Sequence, residues 1–166
     1  MQEGRGAQVA TTEVGRRSKL ALFGIAAAVI VADQASKAWA VSALAGGRRI
    51  PIVGDTFDLR LVLNAGSAFG LFPGSTILIA LASTVITLAV TVWAIRDPAA
   101  PSALGLVIGG GVGNLLDRAL REPGFGRGHV VDFLYLSFWP TFNLADAAIC
   151  VGVALMLLAA FREERR

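Results

Sequence analysis

The sequence predicts an all-α membrane protein: a bundle of four transmembrane helices carrying a small extracytoplasmic β-sheet or hairpin. Three observations lead there. The chain is 55% hydrophobic and only 16% charged, with a mean hydropathy of +0.65, far more apolar than a soluble domain of this length. Four apolar segments, Leu20–Leu44, Ile77–Ile95, Ala103–Leu120 and Phe142–Phe161, each approach the ~20 residues that cross a ~30 Å hydrocarbon core. Between the first two lies a stretch with strand periodicity.

The first segment follows Arg16, Arg17 and Lys19, as a secretory leader would. It is longer than a 7–15-residue signal-peptide core and carries Asp33 and Lys37, so it reads as a retained helix. Residues 1–18 read as a disordered cytoplasmic tail and residues 19–166 as a single membrane-embedded domain. In the loop that follows, Phe57, Leu59, Leu61 and Leu63 alternate with polar residues except at Val62, the pattern of a half-buried strand. Ile50–Val53, followed by Gly54-Asp55, completes a hairpin with it. The glycine-rich turn Asn64-Ala65-Gly66-Ser67-Ala68-Phe69-Gly70 comes next. The second span carries only hydroxyls such as Thr84 and Thr87. In the third, Gly105, Gly109, Gly113 and Asp117 recur every four residues and share one helix stripe, a close-contact face in membranes that turns Asp117 into the bundle. The loop 119–141 holds a flexible tip at Pro123–Gly126 and an interfacial aromatic anchor at Phe138-Trp139-Pro140. Asn143 is placed to cap the fourth helix.

Orientation rests on Lys and Arg. Arg5, Arg16, Arg17, Lys19, Arg96, Arg162, Arg165 and Arg166 fall on one side; Arg48, Arg49, Arg60, Arg118, Arg121 and Arg127 fall on the other. The bias is small, and the two basic ends place both termini in the cytoplasm. The net charge of +3 therefore reads as membrane orientation, and no basic stripe with interleaved aromatics suggests nucleic acid. The single cysteine, Cys150, allows no internal disulfide and no CxxC metal site.

The polar residues of the spans gather at one level. Asp33, Gln34, Ser36 and Lys37 lie in the outer half of the first helix, Asn114 and Asp117 near the outer end of the third, and Asn143 and Asp146 at the outer start of the fourth. An intramembrane carboxylate is costly and marks a candidate site when a partner can be named. For Asp146 the partner is Asp132, fourteen positions upstream in Val130-Val131-Asp132-Phe133. Two carboxylates close enough to share a water cannot both ionise freely, and so supply a base and an acid at neutral pH. Other readings stay open. Asp33 and Lys37 at i, i+4 form a simple ion pair, and Asp117 with Arg118 either braces the third helix or supports the aspartates. His129 with Asp132 and Asp146 makes a weak metal site without HExxH spacing. A Ser36–Lys37 nucleophile fails because adjacent helical residues diverge. Cys150 reads as an inert buried filler. A proton or ion pathway needs polar residues through the full depth, and the inner halves of these helices are apolar.

Five motifs in order, Asp33-Gln34-Ala35-Ser36-Lys37, Asn64-Ala65-Gly66-Ser67-Ala68-Phe69, Gly113-Asn114-Leu115-Leu116-Asp117-Arg118, Val130-Val131-Asp132-Phe133 and Phe142-Asn143-Leu144-Ala145-Asp146, resemble lipoprotein signal peptidase, the bacterial signal peptidase II family, over roughly residues 20–160. The resemblance implies a cofactor-free aspartyl endopeptidase of the bacterial cytoplasmic (inner) membrane. It implies removal of signal peptides from prolipoproteins just before a diacylglyceryl-modified cysteine, at a site near the outer face, and inhibition by globomycin-type antibiotics. Asp132 and Asp146 match the catalytic pair, and Asp33, Asn64, Asn114, Asp117, Arg118 and Asn143 match the supporting polar positions. Lys37 and Gly66, within the matching motifs, join them as binding or supporting residues. The stretch from Asp117 to Asp132 is longer than in many members and that from Asp132 to Asn143 shorter, which leaves the shape of the outer loop open.

Overall fold

A computed structural model describes residues 3–66, 76–96 and 100–165. Along the chain, helix α1 (Glu3–Ala43) is followed by strands β1 (Arg49–Val53) and β2 (Phe57–Asn64), helices α2 (Thr76–Arg96) and α3 (Pro101–Leu120), strands β3 (Val130–Leu136) and β4 (Trp139–Phe142), and helix α4 (Leu144–Glu163). All four helices contain stretches long and apolar enough to cross a membrane. They end within a few residues of the expected spans, save that α1 begins at Glu3, so the backbone expected to be an irregular tail continues the first helix. The segment contains no proline, and extending a helix already nucleated by the span costs little.

The bundle is organised around α3, which packs against each of the other three helices. Its glycines make this possible. A Cβ at Gly109 would stand 2.8 Å from both the Ala26 carbonyl oxygen and the Val29 Cβ of α1, and one at Gly105 would meet the Leu22 carbonyl at 2.8 Å. One residue round the helix, Gly110 lies against the Ala145 carbonyl of α4, and Gly111 against Thr87 of α2. The stripe read from the sequence therefore faces α1, and a second set of glycines admits α2 and α4. Leu22, Ala26, Ala94, Leu104 and Ile108 fill the space between. Large apolar residues such as Leu78, Leu81, Val85, Leu157 and Leu158 cover the outside, as a lipid-facing surface requires.

The sheet gathers at one end of the bundle, in the antiparallel order β1-β2-β3-β4. The β1–β2 hairpin is the expected one, and its turn is closed by Gly54 at φ +47°, in the left-handed region glycine enters freely. β3 and β4 enlarge the expected hairpin to four strands. The two edge strands contain Pro51 and Pro140, where a missing N–H does not interrupt the ladder. On β3, Val131 and Phe133 pack with Ala40 and Leu44 at the end of α1, and Phe133 meets Trp39 edge-on with ring centroids 6.4 Å apart. This seats the sheet on the helices and leaves Asp132 on the opposite face. The alternation expected along β2 is not kept: its register against β3 shifts between Leu59 and Val62. Leu59 and Leu61 pack on the core, whereas Val62 and Leu63 are exposed. Asp58, at a position expected to face water, is covered by Arg49 and Arg60, and Arg60 also lies over the Tyr135 ring. Residues 67–70 of the glycine-rich turn fall outside the described residues.

Candidate active site

Asp132 and Asp146 come from different elements and line one cleft of about 560 Å³ at the sheet end of the bundle, together with Val62–Ala65, Trp139–Phe142 and Cys150. β3 delivers Asp132. Asp146 is the third residue of α4, where its side chain and Asn143 form a reciprocal capping box: the Asn143 Oδ1 accepts from the Asp146 backbone N–H at 3.0 Å and Asp146 Oδ2 from the Asn143 N–H at 3.2 Å. Such a box satisfies two helix-end donors at once. Asn143 is thus the expected N-cap, and it also donates its Nδ2 to Asp132 Oδ1 at 2.7 Å. One residue therefore joins both aspartates.

Each carboxylate oxygen of the pair accepts one hydrogen bond from a neutral donor. Asn64 Nδ2 donates to Asp132 Oδ2 at 3.0 Å, a diagonal reach across β2 and β3, where Val62 is the residue directly opposite Asp132. Asn114 Nδ2 donates to Asp146 Oδ1 at 2.8 Å. The amides point this way because their oxygens are already claimed. Asn64 Oδ1 accepts from the Gly66 N–H at 2.9 Å. Asn114 Oδ1 accepts from Lys37 Nζ at 2.9 Å and from Asn143 Nδ2 at 3.1 Å. Gly66 holds φ +119°, and a Cβ there would press on Ile79 and Thr76 at 3.0 and 3.2 Å, so a larger residue could not present this N–H without displacing α2.

Among the described residues no cation touches the pair. Lys37 is spent on Asp33, Asp117 and Asn114, one amide away from Asp146. Burial pushes the Asp132 carboxyl up to about 6; hydrogen bonds from Asn64 and Asn143 oppose this, and the Asp146 charge reinforces it. A buried carboxylate with neutral donors keeps its proton accessible, whereas a direct salt bridge would fix it as the anion.

The remaining expected residues are distributed as follows. Asp33 and Lys37 do form the i, i+4 pair, at 2.8 Å, but Lys37 bonds across the bundle as well. Asp117 pairs with Lys37 at 3.0 Å and with Arg121 at 2.7 Å, not with Arg118; Arg121 lies one turn on, whereas neighbours in sequence diverge on a helix. Arg118 instead donates to the carbonyls of Asn64 and Gly128, at 3.3 and 3.2 Å, tying the end of β2 to the loop before β3. Ser36 donates to the Asp33 carbonyl, away from Lys37. His129 sits in the loop before β3, its backbone N–H on the Glu122 carbonyl, and is not among the cleft residues. Cys150 is exposed at the cleft rather than buried. Gln34, which donates to Asp33, Asp117 and the Gly113 carbonyl, is legible in the sequence only as one of the polar residues at that level, and Arg121 only as a loop charge. The i+4 spacing from Asp117 was the available signal for Arg121.

The model of the signal peptidase (SPase) II family matches residues 25–162. The lipoprotein signal peptidase of Rhodococcus jostii is 40% identical over 147 residues, covering 87% of this chain and 74% of that protein. That of Mycobacterium avium is 40% identical over 146 residues, covering 86% and 79%. Two solved structures, each titled as a bacterial membrane enzyme determined by the in meso method, superpose with TM-scores of 0.75 and 0.71. Their identities are 25% and 26%; the first alignment covers 86% of this chain and 88% of the other, the second 84% and 91%. The family model spans most of the length and the motifs fall within it: the chain belongs to the signal peptidase II family.

Proposed function

We propose that this chain is a membrane aspartyl endopeptidase that removes the signal peptide from diacylglyceryl-modified prolipoproteins, cutting before the lipidated cysteine. The observation that carries the reading is the pair Asp132 and Asp146: two carboxylates from separate elements, lining one cleft and joined through Asn143. The relatives' name, lipoprotein signal peptidase, supplies the substrate class.

The pair holds one proton between its two members. A water between them loses a proton to the ionised carboxylate as its oxygen attacks the scissile carbonyl carbon. The protonated carboxylic acid donates to the carbonyl oxygen, giving a neutral tetrahedral gem-diol. Its collapse breaks the C–N bond as the now protonated carboxyl gives its proton to the leaving amine and the other carboxylate takes a proton from a gem-diol hydroxyl, so the pair again holds one proton. The exposed apolar residues Val62 and Leu63 and the β4 residues Trp139–Phe142 give an extended peptide a surface to lie on beside the carboxylates. In this reading the sheet faces outward, both termini are cytoplasmic, and the acyl chains of the substrate stay among the lipid tails.

The test is cleavage of a diacylglyceryl-modified prolipoprotein peptide by purified protein. Asp132→Asn and Asp146→Asn should each abolish turnover while the protein still inserts and folds, and the double variant should be no worse than either single one. Substantial turnover by folded Asp146→Asn protein would sink the aspartate mechanism. For orientation, reporters fused after residues 60 and 128 should read as external.

A further inference from the structure

Lys37 is fully buried, and all three donors of its ammonium are engaged: Asp33 Oδ2 at 2.8 Å, Asp117 Oδ2 at 3.0 Å and Asn114 Oδ1 at 2.9 Å. The two carboxylates it holds have matching second tasks. Asp33 Oδ1 accepts the backbone N–H of Ala145 at 3.0 Å, the residue immediately before Asp146. Asp117 Oδ2 accepts the backbone N–H of Val131 at 3.0 Å, the residue immediately before Asp132. Gln34 spans the same two carboxylates at 3.2 and 3.3 Å. A single ammonium on α1 thus ties together the grips on α4 and on β3. Through Asn114 it also turns an NH₂ toward Asp146.

We infer that Lys37 is a positioning residue for the reaction: by tying Asp33 to Asp117 it sets the separation of Asp132 and Asp146, and by claiming the Asn114 oxygen it sets the donor that Asp146 receives. The inference rests on the aspartate-pair reading above. Buried ion pairs are poor stabilisers compared with apolar packing, so an Asp–Lys–Asp triad placed at this point is better explained by what it aligns. Misplacing reacting groups by about 1 Å costs on the order of 100-fold in rate. A change at Lys37 also has an electrostatic signature. The charged groups acting on Asp132 are Asp146 from α4, Lys37 from α1 and Arg118 from α3; Asp33 and Asp117 hold Lys37 itself, and Arg121 pairs with Asp117. The Lys37 charge opposes the effect of burial on Asp132, so its removal moves that carboxyl, and the pH profile, upward.

The experiment compares Lys37→Met, the charge-compensated Lys37→Met/Asp33→Asn and Asp117→Asn with the parent protein and with Asp146→Asn, on a diacylglyceryl-modified prolipoprotein peptide. Activity is expressed per folded molecule, from the monodisperse fraction in detergent. Lys37→Met should lower kcat about 100-fold with KM within threefold, and should shift the pH–rate profile to higher pH. If Lys37→Met does not fold, the two asparagine-containing variants, which retain an oxygen for the gripped N–H, carry the comparison and should show the same kcat loss. A normal kcat and pH profile per folded molecule in those variants overturns the inference and leaves the triad a structural brace. An active Asp146→Asn refutes the aspartate reading itself, whereas an inactive Asp146→Asn beside a normal Lys37→Met refutes only the role of Lys37.

Discussion

Replacing Asp132 by Asn should make the protein more stable as pH rises, while destroying its activity. Burial holds the folded Asp132 carboxyl at about 6, against 3.8 for the free group. The folded state therefore binds this proton more tightly than the unfolded state does. Wild-type stability is fully present below about pH 4, is lost progressively as pH rises through about 6, and is then flat. At ~1.36 kcal/mol per pH unit, the loss amounts to about 3 kcal/mol. Asn carries no charge to bury, so its stability lacks this pH dependence. It does put an NH₂ against either Asn64 or Asn143, both of which donate to Asp132, and a lost buried hydrogen bond costs roughly 1–3 kcal/mol at every pH. The two effects separate cleanly in the difference between variants. Thermal unfolding of both proteins in the same detergent, from pH 4 to pH 8, should show Asp132→Asn gaining about 3 kcal/mol on the wild type across that range, whatever its offset at pH 4. An offset that stays constant from pH 4 to pH 8 would falsify the argument that Asp132 is buried as a costly anion.

Asn143→Ser should keep the helix cap, since Ser caps about as well as Asn, yet lose most turnover because the donor to Asp132 is gone; equal activity in a cleavage assay would deny Asn143 its bridging role. Gly109→Ala should cost about 1–3 kcal/mol by pushing α1 from α3, with activity per folded molecule retained, whereas Gly110→Ala presses on the Ala145 carbonyl beside Asp146 and should lose activity as well; unfolding and kinetics on the two purified variants check this. Asp58, held well below the usual carboxylate range chiefly by its hydrogen bond with Arg60, contributes stability that is present above about pH 4 and lost on acidification; Asp58→Asn should remove that acid dependence from the unfolding curve. An unlipidated peptide should be a very poor substrate, because acyl burial contributes ~0.8 kcal/mol per CH₂; equal turnover of the two forms would contradict the proposed substrate class.

The parts of this fold that were legible in the sequence are those with short-range causes. Span length, the Gly105–Gly109–Gly113 stripe, the Asn143 cap and the β1–β2 hairpin all follow from neighbours a few residues apart. What escaped depends on distant pairing. β3 is a short apolar run whose partner β2 lies far away in sequence, and β4 is four residues with Pro140 in them, so neither announces itself by period. The level of the polar residues placed Asp33, Lys37, Asn114 and Asp117 near one another, but helical spacing could not show that Lys37 reaches across to α3. The exposure of Cys150 is not legible for a related reason: a helix face shows its period in sequence, but not whether a neighbour covers it.

The charges around the cleft explain how a membrane bundle tolerates so many carboxylates. Asp33, Asp117, Asp132 and Asp146 carry four negative charges when ionised, and Lys37, Arg118 and Arg121 carry three positive ones. The cations are not shared evenly. Lys37 and Arg121 bind Asp33 and Asp117, while Asp132 and Asp146 receive amides and a backbone N–H, with Arg118 acting on Asp132 only through space. The surplus of one negative charge therefore falls on the pair that has no direct counter-ion among the described residues. Retaining one proton there brings the whole cluster to neutrality, which is the least costly state in a low-dielectric setting. The same single proton is what hydrolysis by two carboxylates requires, since one member must accept and the other donate. With the cations on Asp33 and Asp117, and only neutral donors on the cleft-lining Asp132 and Asp146, the protonation state that the proposed mechanism needs is the one that burial favours.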